Sequence, residues 1–154
     1  MLSTTTKDQT KVITDLLNGT FSSLETVVPI KHTRAKPQLL EKNFHIGYGV
    51  LIGMTGDIKG KLVLSGESTV FSKIGETMYG MPLEGDMLLS FSGELGNMIA
   101  GGLSTTIVEN GININITAPT MMQGNTTLSG FKQGLRVTTS FDHTGKLDIM
   151  LLLD

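Results

Sequence analysis

The first 30 residues predict a helix followed by a short strand. Residues 4–24 are expected to form an amphipathic helix, capped by a threonine of residues 4–6, because apolar side chains recur there at helical spacing. A β-branched run at 27–30 stops near Pro29 and predicts a short strand. The apolar positions of the helix are Val12, Ile13, Leu16, Leu17 and Phe21.

The next segment predicts an antiparallel hairpin. The polar stretch 31–42 contains Pro37 and is expected to be a loop or a sheet edge. Residues 44–54 and 58–65 are rich in apolar and β-branched side chains, which favours two strands that turn at 55–57.

Two helices are predicted in the middle of the chain. The first covers 68–78, where four apolar side chains have helical spacing, and it ends at Gly80 and Pro82. The second is a longer candidate that covers 84–108. The apolar positions of the first are Val70, Phe71, Ile74 and Met78.

The last third of the chain predicts strands. Isoleucines alternate with polar residues over 112–117, which is typical of a half-buried strand. A loop is expected over 121–130, and residues 134–141 and 146–153 predict a second hairpin.

The order of these elements and the length of the chain bound the fold. One helix, strands, two helices and further strands favour an α+β fold with a largely antiparallel sheet packed against helices. The 154 residues suit one domain, 1–154. The chain has no cysteine, which excludes disulfide scaffolds and thiol catalysis.

Charge and composition exclude several classes of partner. The 12 basic and 14 acidic residues give a net charge of −2, and only 5% of residues are aromatic. A nucleic-acid partner is therefore not expected. Apolar runs are far shorter than the ~20 residues that cross a bilayer. With no basic and apolar leader at the start of the sequence, we expect a cytoplasmic protein that does not bind membranes.

Familiar catalytic and phosphate-binding motifs do not occur. His32, His45 and His143 are far apart in sequence and lack the spacing of metal ligands, so we expect structural or surface roles and no metal site. A Ser-His-Asp triad stays open, although no G-x-S-x-G segment suggests one. The glycines of 47–53 and 55–61 fit neither dinucleotide nor P-loop spacing.

The predicted helix over 84–108 carries the most informative pattern. At about 100° per residue, Leu88, Leu95 and Ile99 share one side. Glu94 and Asn97, at positions i and i+3, project from the opposite side, one turn apart. Such a pair is most often only a solvated helix face, and that interpretation stays open.

Small residues surround this pair. Ser90 lies one turn before Glu94, Gly101 lies one turn after Asn97, and Gly93 lies at the edge of their face. Each glycine in a helix costs about 1 kcal/mol relative to alanine, so a structural helix would gain by replacing them. Close approach by another backbone explains small residues on this face. Two further glycines, at 96 and 102, point elsewhere and are expected to serve internal packing.

Residues 90–101, Ser-Phe-Ser-Gly-Glu-Leu-Gly-Asn-Met-Ile-Ala-Gly, resemble the signature helix of the CheC/CheX/FliY phosphatases of bacterial chemotaxis. That motif has Asp or Ser, three residues, Glu, two residues, Asn, and a Pro some twenty residues later. Ser90, Glu94 and Asn97 match, and Pro119 follows after 21 residues. The order of elements and residues 53–64 also resemble CheX.

Two departures from the family pattern refine the resemblance. CheC-type members often carry two such helices, but the helix over 68–78 has Tyr79 three residues after Glu76, where the motif requires Asn. One site per chain favours the CheX type. The family usually shows Gly-Asn after the motif, where this chain has Gly101 and Gly102.

The resemblance implies a phosphatase that hydrolyses the aspartyl phosphate of a CheY-like response regulator. Asn97 would orient the attacking water, and Glu94 would pair with the active-site lysine of the regulator. Ser90, Gly93 and Gly101 would let the loops of the partner approach. No cofactor is expected on this chain, because Mg²⁺ would be bound by the regulator.

The resemblance also implies a homodimer that joins through its sheets. The strand over 112–117 and its neighbours are the candidate edge, since open β edges invite pairing. Two alternatives stay open: a non-catalytic assembly module of the same fold, as in the flagellar switch, and an unrelated α+β domain that binds a small ligand. In the second case, the turn at 53–60 and the loop at 121–130 would frame the pocket.

Overall fold

The computed structural model describes residues 6–154, and within them three helices stand against one antiparallel sheet. The helices occupy the positions that the hydrophobic pattern predicts, and a 3₁₀ turn, Ile107–Asn110, follows the last of them. The helices are α1 (Thr6–Val27), α2 (Ser68–Tyr79) and α3 (Gly85–Thr106). The first helix was predicted to begin at residue 4, but residues 4 and 5 lie outside the described residues. Two of the three threonines that could cap the helix lie there too.

The described strands form a single sheet in the order β1-β7-β8-β4-β3-β5, with β2 also paired to β7 and β6 also paired to β3. Every pairing is antiparallel. This arrangement confirms the predicted α+β fold. The strands are β1 (His32–Arg34), β2 (Gln38–Leu39), β3 (Asn43–Gly56), β4 (Gly60–Ser65), β5 (Ile114–Ile116), β6 (Thr120–Ser129), β7 (Gln133–Phe141) and β8 (Gly145–Leu153).

Both faces of the sheet bury apolar side chains. On β4, Leu62 and Leu64 join the large core that the helices cover, whereas Val63 between them belongs to a second, smaller cluster. Alternate residues of a strand point to opposite faces, so the two clusters lie on opposite sides of the sheet. The buried members of the smaller cluster are Ile46, Val63, Met122, Met150 and Leu152.

Helix α3 lies against both α1 and the sheet. The Ser23 hydroxyl of α1 donates to the carbonyl oxygen of Ile99 at 2.8 Å, and a methyl group at Gly102 would collide with that hydroxyl. On the sheet side, a Cβ at Gly96 would lie 2.8 Å from Val50 Cγ1 of β3. The expected packing role of Gly96 and Gly102 is thus confirmed, and close contacts on both sides fix the helix.

The strand predicted at 27–30 is wrong. Helix α1 continues to Val27, and the backbone N–H of Val28 still donates to Leu24 O at 2.9 Å. Val28 is buried in the helix-side core, so tertiary packing outweighs the β preference of these branched residues. The sheet edge forms later, at β1 and β2, within the segment that was expected to be a loop or an edge.

The loop predicted at 121–130 is also wrong, because this segment forms β6. Its side chains are mostly exposed and polar, and Met122 is its only buried residue, so the sequence lacks an alternating pattern. Backbone pairing with β3 holds the strand instead, from Thr120 opposite Leu51 to Ser129 opposite Asn43, with a bulge beside Ile46. The small-ligand alternative thereby loses one of its two framing loops.

Candidate functional site

The three motif side chains project from one side of α3. Glu94 and Ser90 are exposed, and Asn97 is half-buried. Among the side chains that the structure describes, from residue 9 onwards, and the backbone of residues 6–154, none forms a hydrogen bond or ion pair with the side chain of Glu94 or Asn97. The predicted placement of these residues one turn apart on a solvent-facing side is therefore the observed one.

The opposite side of α3 fixes this face in space. Leu95 and Ile99 are completely buried in the helix-side core. Below the motif, the Ser92 hydroxyl donates to Leu88 O at 2.8 Å and lies 2.8 Å from the Tyr48 hydroxyl of β3. This partly buried hydroxyl pair and the apolar contacts of Leu95 and Ile99 together hold the backbone that carries Glu94 and Asn97, so the two side chains start from a defined position.

The small residues around Glu94 and Asn97 differ in how accessible they are. A Cβ at Gly93 would lie 3.5 Å from Pro119 Cγ, so the structure brings the proline of the motif against α3, one turn before Asn97. Gly93 itself is buried there. Gly101 is half-buried, and the nearest atom to its Cβ position is Ile116 Cδ1 at 4.0 Å. The open approach to the motif is therefore at Gly101 and Ser90, while Pro119 covers Gly93.

A groove of about 650 Å³ adjoins the motif, and we call it the motif groove. It shares Ser90 and Glu94 with the motif. Sequence reasoning did not identify it, although one signal was available. Met87 lies seven residues before Glu94 and so falls on the same, polar side of α3. The other residues that line the groove are Tyr79, Met81, Leu83, Asp86, Met87 and Phe91.

The histidines lie on other elements. His45 Nδ1 is 2.9 Å from the Thr127 hydroxyl, the His32 ring packs against Phe141 with centroids 5.4 Å apart, and His143 lies in the turn before β8. In the part of the chain that the structure describes, no group of three or more histidine or carboxylate side chains could hold a metal ion. Among the helices of residues 6–154, none is both long enough and apolar enough to cross a membrane.

The arrangement of Glu94 and Asn97 suits chemistry on a partner molecule. A carboxylate without an internal partner can accept a hydrogen bond from a cation of another protein. A primary amide offers both a donor and an acceptor, so it can hold a water molecule in one orientation. Both groups stand on a rigid helix, which favours precise placement over covalent catalysis.

Comparison with known proteins identifies the family of this chain. Residues 48–141, more than half of the chain, match the family of the chemotaxis phosphatase CheX. A relative from Thermotoga maritima named CheY-P phosphatase CheX is 30% identical over 119 residues, which cover 74% of this chain and 76% of the relative.

Solved structures share the fold. A CheC-like superfamily protein from Shewanella sp. PV-4 is 25% identical, with a TM-score of 0.76 over 91% of this chain and 97% of its own. A chain of the CheX–CheY–BeF3–Mg²⁺ complex from Borrelia burgdorferi is 20% identical, with a TM-score of 0.74 over 92% of this chain and 96% of its own. Because the family match covers more than half of the chain and the relative from Thermotoga maritima is 30% identical, the chain belongs to the CheX family of chemotaxis phosphatases.

Proposed function

We propose that this chain is a phosphatase that hydrolyses the aspartyl phosphate of a CheY-like response regulator. The observation that carries the proposal is the placement of Glu94 and Asn97, side by side on a rigid helix and without partners in residues 6–154. The relative from Thermotoga maritima is named for this activity, and the complex from Borrelia burgdorferi contains CheY with BeF3 and Mg²⁺.

Asn97 orients the attacking water. The water oxygen attacks phosphorus, the bond between phosphorus and the aspartyl oxygen breaks, and inorganic phosphate and a free carboxylate result. An acyl phosphate is already labile, so this step needs placement and charge stabilisation more than a strong base. The amide of Asn97 places the attacking water, and Mg²⁺ bound to the regulator would stabilise the negative charge of the phosphoryl group.

Glu94 binds the active-site lysine of the regulator. A charge-assisted hydrogen bond at a protein interface fixes register and contributes to affinity. Because Glu94 and Asn97 are one turn apart on the same helix, the contact of Glu94 sets where the amide of Asn97 lies. Glu94 thus acts on binding as well as on rate.

The test is the decay of phosphorylated CheY-like regulators with and without the protein. Wild type should accelerate decay, and Asn97→Ala should lose roughly 100-fold or more of that acceleration while its affinity changes little. Glu94→Ala should lower both affinity and rate. Asn110→Ala is the matched control, since Asn110 is an exposed asparagine beyond the end of α3.

Four results would contradict the proposal. Full activity of Asn97→Ala would remove the role of its amide, and full affinity of Glu94→Ala would remove the pairing with lysine. Hydrolysis of p-nitrophenyl phosphate in the absence of a regulator would indicate a general hydrolase. If regulators bind but their phosphate decays no faster, the chain is an assembly module of this fold.

The chain works in the cytoplasm as a homodimer, joined through the sheet edge at β5. Strand β5 is the last in its sheet order and pairs only with β3 among the described strands, so its outer edge is open to a second copy. Asn115 faces Thr55 of β3 as a hydrogen-bonded pair, so the N–H of the next residue, Ile116, points to the outer edge. Ile116→Pro removes that donor and should shift the mass measured by light scattering towards the monomer. An unchanged mass would place the contact elsewhere.

A further inference from the structure

Exposed apolar side chains concentrate beside the motif. In residues 6–154, five large apolar side chains are strongly exposed, and three of them line the motif groove. Isolated exposed apolar residues are normal on protein surfaces, but a cluster marks a binding surface. Tyrosine and methionine are also enriched where proteins bind one another. The three are Tyr79, Met81 and Met87, and the other two are Leu39 and Val108.

The apolar wall of the groove is fixed before anything binds. The Tyr79 ring meets the Phe91 ring edge-on, with centroids 5.7 Å apart. Gly80 ends α2 with a φ of 73°, a conformation that glycine adopts readily, and so turns the chain towards Met81. The Ser72 hydroxyl donates to Leu83 O at 3.1 Å and ties down the linker. A wall held in this way loses little conformational entropy on binding.

The charges of the groove have one sign. Asp86 and Glu94 are the charged residues that line it, and both are acidic. Neither forms an ion pair with another described residue. The complementary surface is therefore apolar with basic side chains at its rim, since like charges would repel and apolar contact alone would leave two carboxylates uncompensated.

We propose that the motif groove is the docking platform of the phosphorylated regulator, and that Tyr79, Met81 and Met87 set its affinity. The inference rests on the proposed function, because Glu94 belongs to both the groove and the motif. The regulator presents apolar side chains to the wall and basic side chains to Asp86 and Glu94. Affinity then comes mainly from the groove, and the rate of hydrolysis comes from Asn97.

Met87→Lys tests the platform against a matched control, Val108→Lys. The two side chains are 54% and 52% exposed, Met87 in the first turn of α3 and Val108 in the 3₁₀ turn after it, so the two substitutions add the same charge at similarly exposed positions. The lysine at 87 removes apolar contact and adds a charge of the sign that the partner carries. The probe is a CheY-like regulator loaded with beryllofluoride and Mg²⁺ for the dissociation constant, and its phosphorylated form for KM and kcat.

The platform predicts a rise of about tenfold or more in the dissociation constant and in KM for Met87→Lys, with kcat within a factor of two. Val108→Lys should match wild type. Met81→Lys, on the other wall of the groove, should repeat the effect. Thermal unfolding of each variant establishes that it is folded.

The outcomes separate the two proposals. If wild type binds and hydrolyses but Met87→Lys and Met81→Lys keep the wild-type dissociation constant, the platform is wrong and the proposed function stands. If Met87→Lys changes the oligomeric state of the chain and not its affinity for the regulator, a second copy occupies the groove and the platform is likewise wrong. If wild type binds no regulator, both proposals fail.

Discussion

The two sides of α3 differ in what their residues contact. On the inward side, Leu95, Ile99 and Leu103 are completely buried against the sheet and α1. On the outward side, the side chains of Glu94 and Asn97 contact no hydrogen-bonding partner in the described part of the chain. One helix of 22 residues thus carries both the centre of the core and the candidate site.

Three glycines of α3 show the same difference between the inward and the outward side. Gly96 and Gly102 leave no room for a methyl group, because Val50 and Ser23 occupy that space. Gly101 has nothing nearer than 4.0 Å. The same residue type therefore has a packing reason on one side and no internal reason on the other. Substitutions on the inward side should change stability, and those on the outward side should change activity.

The largest expected difference is between two adjacent residues. Leu95→Ala should lower the free energy of unfolding by about 2–5 kcal/mol, because it opens a cavity at a completely buried position. Glu94→Ala, at an exposed position, should change it by less than about 0.5 kcal/mol. Urea denaturation measures both. A loss of more than 1 kcal/mol in Glu94→Ala would show that the outward side also holds the fold.

Gly102→Ala should cause the next largest loss of stability. The new methyl group would meet the Ser23 hydroxyl, which is itself hydrogen-bonded to Ile99 O, so α1 must shift. We expect a net loss of about 1–3 kcal/mol despite the better helix propensity of alanine.

A double-mutant cycle with Ser23→Gly checks the cause of that loss. Removing the Ser23 side chain clears the space that the alanine needs, so the double variant should be less destabilised than the sum of the single variants. Strict additivity would place the strain elsewhere.

Tyr48→Phe should cost about 1 kcal/mol. The Ser92 hydroxyl donates to Leu88 O, so the Tyr48 hydroxyl donates to Ser92, and its removal leaves one partly buried hydrogen bond unmade. Denaturation should detect the loss, while kcat stays within a factor of three because the apolar contacts of Leu95 and Ile99 still hold α3. A large fall in kcat at unchanged stability would mean that the hydroxyl pair positions the motif.

The same division explains what the sequence could predict. The side of α3 on which Leu95 and Glu94 each lie follows from a period of 3.6 residues, so the helix and its outward pair were predictable. Strand β6 was not, because Met122 is its only buried side chain and pairing with β3 is a long-range backbone contact. The motif groove was not predicted, because its lining comes from two helices. The turn at Gly80 brings Tyr79 of α2 beside α3, and helical periodicity within one element does not show such a contact.

Gly101→Ala should have the smallest effect on stability, and the informative result is whether it stabilises or destabilises the chain. Because its Cβ position has only ordinary contact distance to Ile116, the alanine should stabilise the chain by up to about 1 kcal/mol through helix propensity. Gly102→Ala, one residue further, should do the reverse. If Gly101 is small so that the regulator can approach, the same substitution should weaken regulator binding a few-fold. A stabilised variant with unchanged affinity would leave Gly101 without a role at the interface, and the open approach to the motif would then be at Ser90 and the motif groove alone.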